Sequence, residues 1–234
     1  MESAREKFES RAIEKIFIAD LDALDEPPPR GILSPAERDR AARFVRGEDR
    51  RRYAKSHALL RLVLASELGV APSELGLAAD RFGKPELRGR PVPVGFSLSH
   101  SGRMALVAVA PRAVGIDIEE IRAHVEIDAV IERYFTPGEA AELRALPPEA
   151  RIPAFYRCWT FKEAYLKALG KGLWDGLDAI ETLPGRDEMR KERWVIRSIP
   201  APEGYAAAIA TEGDARPARH SVDSLVPLIL SPIL

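Results

Sequence analysis

The sequence predicts an α+β fold made of two similar halves, each a small antiparallel sheet packed on a long helix. Three observations point there. Two Pro-Glu helix starts, Ser34-Pro35-Ala36-Glu37 and Thr136-Pro137-Gly138-Glu139, lie 102 residues apart. Each leads into a helical stretch carrying a tyrosine (Tyr53, Tyr156) and ending in Leu68-Gly69 or Leu169-Gly170, at offsets of 103 and 101. Gly102 then precedes MALVAVA and Gly204 precedes YAAAIAT, again 102 apart. Signals repeating in order at a near-constant offset mark a duplicated unit of about 100 residues. The division falls at residues 121–126, giving halves 1–122 and 123–234.

Each element has a local cause. Ser34 and Thr136 are hydroxyl N-caps followed by proline at the first helical position. Glu37 and Glu139 sit three residues on, at capping-box spacing. Residues 53–68 are apolar on most faces (Tyr53, Ala54, Ala58, Leu60, Val63, Leu64), as in a buried central helix, and Gly69 and Gly170 stop the two helices. Residues 94–99 and 103–110 alternate around His100-Ser101-Gly102, a hairpin signal. Pro111-Arg112 turns the chain into a strand over 114–119. The second half has strands at 194–199 and 205–211 in the matching places.

Composition narrows the function. The chain has 234 residues and a net charge of −1, with 46% hydrophobic and 30% charged residues. That excludes wholesale disorder and a generally basic nucleic-acid binder. The single Cys158 excludes a disulfide framework and a thiolate zinc site. The amino-terminal segment is charged and lacks an apolar core, and residues 225–234 are too short and proline-broken to span a bilayer. A cytoplasmic protein without membrane contact is expected. The net charge hides an asymmetry: residues 30–61 hold ten Arg or Lys against four acids. A solvated helix face, a polyphosphate ligand and nucleic acid are the three readings of that stretch.

In Val114-Gly115-Ile116-Asp117-Ile118-Glu119, the period of 2 places Asp117 and Glu119 on one strand face. Two carboxylates there suit a hard divalent cation; the alternative is a half-exposed strand whose polar face meets water. Trp159, Glu163 and Lys167, at i, i+4 and i+8, share a helix face. On an isolated helix Glu163 and Lys167 would be an ordinary surface pair. Gly83-Lys84-Pro85 and Ser99-His100 read as loop elements able to meet an anion.

Phe82-Gly83-Lys84-Pro85, Phe96–Gly102 (FSLSHSG), Val114–Glu119 (VGIDIE), Trp159–Lys167 (WTFKEAYLK) and Gly170-Lys171-Gly172 together resemble the 4′-phosphopantetheinyl transferases of the Sfp type, in order and separation. The resemblance spans residues 33–175. The resemblance implies an active site in the cleft between two halves. It implies a holo-acyl-carrier-protein-synthase type of reaction: a serine of an apo acyl or peptidyl carrier protein attacks the β-phosphate of coenzyme A, and 3′,5′-ADP leaves. It implies Mg²⁺ (or Mn²⁺) on Asp117, Glu119 and Glu163. On that resemblance Lys167 would contact the phosphates, and Lys84, Ser99, His100 and Arg40, with Arg46 or Arg52, would bind coenzyme A. The proton acceptor is Glu163, Glu139 or a metal-bound water. A non-catalytic coenzyme A or nucleotide-binding relative is the alternative. A monomer is expected, serving carriers of polyketide, nonribosomal peptide or fatty-acid synthesis through a surface near residues 136–146. One departure stands out: where many relatives carry an arginine before Ala-Leu-Leu, this chain has His57.

Overall fold

The computed structural model describes residues 15–24, 28, 31–80, 83–88, 94–123, 126–171, 176–177, 180–213 and 218–221. Phe82, His124 and Gly172 lie outside them, as do the charged segment 1–14 and the apolar run 225–234.

Two compact units emerge, Met1–Pro111 with Pro217–Leu234, and Arg112–Arg216. In the first, strand β1 (Lys15–Asp20) precedes helices α1 (Pro35–Ala42) and α2 (Gly47–Leu68). A short hairpin, β2 (Leu77–Ala79) and β3 (Pro85–Leu87), follows, then a longer one, β4 (Gly95–Ser101) and β5 (Met104–Ala110). In the second, β6 (Val114–Glu120) leads into α3 (Ile127–Tyr134), α4 (Pro137–Ala145) and α5 (Pro148–Leu169), then β7 (Glu188–Lys191), β8 (Trp194–Ser198) and β9 (Tyr205–Glu212). The last described strand, β10 (Ala218–Ser221), pairs in parallel with β1 of the first unit.

The duplication is visible in the sheets. The first runs β10-β1-β5-β4 and the second β6-β9-β8-β7. Thus β1 matches β6, β5 matches β9 and β4 matches β8, each row packed against one 22-residue helix, α2 or α5. Both expected capping boxes form. Ser34 and Thr136 accept from the amides of Glu37 and Glu139, whose carboxylates accept from the cap amides in return. Gly69 and Gly170 end the long helices at φ of 65° and 67°, which only glycine adopts without strain. The first core gathers Phe17, Leu60, Val63, Leu64, Ala105 and Val107; the second gathers Phe161, Ala164, Trp194, Ile196 and Ala208.

Three features depart from the sequence-based expectation. The strand over 114–120 belongs to the second unit, pairing with β9, so the division falls at 111/112 and not at 122/123. Pairing across 90 residues leaves no local trace in the sequence. Second, β1 is an interior strand, although its KIFIAD pattern follows a charged segment and lacks turn signals on both sides. Third, β4 runs through Ser101, so the turn is Gly102-Arg103, with Gly102 at φ 53°. Glycine at the first position of a two-residue hairpin turn is the usual solution.

Candidate functional site

The site in the second unit begins with a glycine. Gly115, Asp117 and Glu119 project from one face of β6, and that face meets α5. A Cβ on Gly115 would stand 1.9 Å from the carbonyl oxygen of Ala164 and 2.4 Å from the amide nitrogen of Ala168. Helix and strand are therefore in backbone contact, which only glycine permits. One turn away on each element, this contact brings Asp117 opposite Glu163 and Lys167. Across the ladder Asp117 and Glu119 face Ala208 and Ala206, so no bulky neighbour crowds them.

Asp117 and Glu163 are buried, at 1% and 7% exposure, and Glu119 is half-buried. The Lys167 ammonium donates to Asp117 Oδ1 at 2.6 Å and lies 3.8 Å from Glu163 Oε2. Burial and the neighbouring Asp117 push the Glu163 carboxyl up to about 8, with Glu119 adding to the rise; Lys167 and a hydrogen bond from Trp159 oppose it. Burial would lower Lys167, but Asp117 and Glu163 raise it above its ordinary value. The cluster is thus short of positive charge even with the lysine in place. Three carboxylates with hard oxygen donors fit Mg²⁺. Among the described residues no three His, Cys, Asp or Glu side chains stand close enough to hold a metal ion as they are. The Lys167 ammonium takes the bridging position between Asp117 and Glu163.

Trp159 stacks on Phe135 and Phe155 (ring centroids 6.3 and 6.0 Å). Held there, its indole lies one turn before Glu163 and favours that carboxyl's ionised form. The i, i+4 spacing puts the two residues on one face; the ring stack that fixes the indole beside Glu163 draws on Phe135, just after α3, and leaves no mark in that spacing.

Glu139 is not a base presented to substrate, contrary to one expectation. It is fully buried, ion-paired with fully buried Lys162 at 2.8 Å, and accepts from the amide and hydroxyl of Thr182 and the amide of Thr136. Lys162 also donates to the carbonyls of Leu177 and Ile180 at 2.6 Å. The first unit repeats this brace. Arg61 pairs with Glu37 at 2.8 Å and donates to the carbonyls of Pro72 and Leu75. The offsets of 102 for the glutamates and 101 for the cations held this signal in the sequence. Burial alone would raise Glu37, but hydrogen bonds from His57 and Ser34 and the Arg61 charge bring it down to about 2. His57, the departure from the relatives' arginine, stacks on Tyr53 at 4.1 Å and reaches Glu37 at 3.4 Å. It is part of this brace. Cys158 is buried, and burial pushes its thiol up to about 11.

The anion-binding candidates lie in the first unit. Asp80 ties the β2–β3 turn, accepting from the Lys84 amide at 2.8 Å. The Arg40 guanidinium packs against Gly83 in that turn and over the Tyr53 ring at 5.7 Å. Arg40 and the Lys84 turn are therefore neighbours. Arg40 and Arg43 line an open groove of about 430 Å³ with Ala36 and Phe44. Arg46 is exposed at the start of α2. Arg52 is engaged by Asp22 and Glu48, which weakens its claim as a phosphate ligand. Ser99 is buried and His100 exposed. Because β4 continues past them, their side chains alternate between its faces.

This arrangement places a carboxylate cluster on a strand and a helix of the second unit, and Arg40 beside the Lys84 turn in the first. Residues 113–210 match the family model described as the 4′-phosphopantetheinyl transferase superfamily, and residues 30–112 match that of the 4′-phosphopantetheinyl transferase N-terminal region. The two meet at 112/113, one residue from the division between the compact units. The chain is 37% identical over 202 residues to the 4′-phosphopantetheinyl transferase HetI of Nostoc sp., covering 81% of this chain and 85% of that protein. It is 33% identical over 159 residues to a 4′-phosphopantetheinyl transferase of Bacillus subtilis (68% and 70% covered). Against Sfp of the same species it is 31% identical over 148 residues (63% and 65% covered). The chain belongs to the 4′-phosphopantetheinyl transferase superfamily, a family of transferase enzymes whose substrate is coenzyme A. No described helix is long and apolar enough to cross a membrane.

Proposed function

We propose that this protein moves 4′-phosphopantetheine from coenzyme A to a serine of an apo acyl or peptidyl carrier protein, with Mg²⁺, releasing 3′,5′-ADP. The observation that carries the reading is the buried Asp117–Glu163 pair bridged by Lys167, with Glu119 beside it. Gathering two buried acids and a half-buried third around one lysine is costly for a structural role and useful for holding a cation and a polyanion.

Asp117, Glu119 and Glu163 would hold Mg²⁺, which when bound neutralises and anchors the pyrophosphate of coenzyme A. Lys167 then turns to the phosphate oxygens and stabilises charge on the departing 3′,5′-ADP. In the first unit, Arg40 and Lys84 supply cations for the nucleotide phosphates, with Ser99, His100 and Arg46 as further contacts. The serine Oγ–phosphorus bond forms as the phosphorus–oxygen bond to 3′,5′-ADP breaks. The serine proton would go to a carboxylate oxygen of Glu163. The carrier contacts α4, where Pro137, Ala141, Glu142 and Arg144 are exposed. The protein acts as a cytoplasmic monomer on carriers of polyketide, nonribosomal peptide or fatty-acid synthesis.

The test is a panel of apo carriers with coenzyme A and Mg²⁺, read by intact mass. Carriers should gain phosphopantetheine. Chelation, Asp117→Asn and Glu163→Gln should each lower the rate at least about 100-fold. Coenzyme A binding with every carrier left unmodified by the wild type would overturn the reading in favour of a non-catalytic binder.

A further inference from the structure

Lys167 faces the carboxylates and not open solvent. Its ammonium lies 2.6 Å from Asp117 Oδ1 and 3.8 Å from Glu163 Oε2, between the two buried acids that a divalent ion would have to bridge. Its side chain is one-quarter exposed, so the tip has a route outward. It sits near the end of α5, one turn beyond Glu163 and three residues before Gly170. A lysine stem spans several ångströms by rotation about four bonds, without moving the helix.

We propose that Lys167 is a built-in competing cation: it occupies the carboxylate cluster until a divalent ion displaces it, and so weakens and gates metal binding. This deepens the functional reading above and rests on it. A monovalent tethered charge and Mg²⁺ cannot share the same pair of oxygens at these distances, because like charges a few ångströms apart repel strongly at a buried site. Metal entry therefore requires the ammonium to leave Asp117. Leaving, it becomes available to an incoming phosphate, so polyanion and metal favour each other's binding. The free protein then binds Mg²⁺ weakly, and coenzyme A tightens it.

Isothermal titration of the full chain with Mg²⁺ alone tests this, at one pH and ionic strength, with thermal unfolding as a second readout. Lys167→Met removes the charge and keeps a long, helix-favouring side chain. It should bind Mg²⁺ roughly tenfold more tightly than the wild type, and its unfolding temperature should rise more on adding Mg²⁺. Lys167→Arg, which keeps the charge, should bind no more tightly than the wild type. Lys171→Met, one turn further and exposed, controls for bulk charge and should stay within about twofold. Unchanged or weaker Mg²⁺ binding by Lys167→Met overturns the proposal, as does equal tightening by Lys171→Met. If the wild type binds Mg²⁺ and modifies carriers while Lys167→Met does not tighten, this inference alone fails. If the wild type neither binds Mg²⁺ nor modifies any carrier, the functional reading fails with it.

Discussion

Glu163 and Glu37 show how one residue type serves opposite ends. Glu37 donates stability. Held near 2, against 4.5 when unfolded, it contributes stability that is complete above pH 4.5 and lost as pH falls toward 2. Partly screened by solvent, the contribution is about 2 kcal/mol. Glu37→Gln should therefore lower stability at pH 6, and its gap from the wild type should narrow by a little over half that amount at pH 3 and close only near pH 2, by urea unfolding. Glu163 works the other way. Raised from 4.5 to about 8 in the metal-free protein, its ionisation is easier in the unfolded chain, so stability falls as pH rises from 4.5 through 8. In chelator, Glu163→Gln should match the wild type near pH 5 and exceed it at pH 8 by on the order of 2 kcal/mol, while transferring no phosphopantetheine. A variant that is more stable but inactive would identify strain kept for function. The contrast is not visible in the sequence: Glu37 reads as a capping-box acid and Glu163 as a helix-face acid, and what separates them is the charge each is buried against, Arg61 for Glu37 and Asp117 for Glu163.

At the level of elements, two devices set the site. The first is the contact of β6 with α5 at Gly115. Gly115→Ala would drive a methyl into the Ala164 carbonyl and the Ala168 amide, neither of which is a movable side-chain end. It should cost about 3 kcal/mol by denaturant unfolding, and the surviving folded protein should lose Mg²⁺ affinity because Asp117 and Glu163 are driven apart. The second is the repeated brace. Lys162→Met would leave Glu139 buried beside an apolar group, at a cost of about 3–5 kcal/mol. Arg61→Met should do the same to Glu37 in the first unit. The capping boxes were legible because they are local. The cations that complete the braces recur at a matching offset, but a lysine or arginine inside a helix reads as solvated until its burial is known, so the repeat alone does not reveal the pairing. From its cap position Glu139 reads as an available acid, because Lys162, which pairs with it, lies 23 residues further along the chain.

For the whole molecule, the 102-residue repeat made the two-sheet architecture legible, since helix caps, glycine stops and alternating strands are all written locally. Pairings between distant segments were not legible: β6 joins residues 205–211 after it, and β10 returns to β1 across nearly the whole chain. That return has a consequence. The second unit is a continuous stretch, Arg112–Arg216, whereas the first needs a strand from beyond it. In the first sheet β1 lies between β5 and β10, with Ile16 and Phe17 at 2% and 4% exposure. A chain ended at Arg216 would leave β1 at an edge, its outward amides and carbonyls without the β10 ladder. Hydrogen exchange followed by mass spectrometry should show β1 losing protection most, α2 and β5 losing some through the shared core, and β6 to β9 keeping theirs. Mg²⁺ binding should persist within about twofold, because Asp117, Glu119, Glu163 and Lys167 all lie in the continuous unit. Coenzyme A affinity should fall, because Arg40 and the Lys84 turn depend on the unit that is weakened. Equal loss of protection in both sheets would mean that the units unfold together and that the continuity of the second gives it no independence.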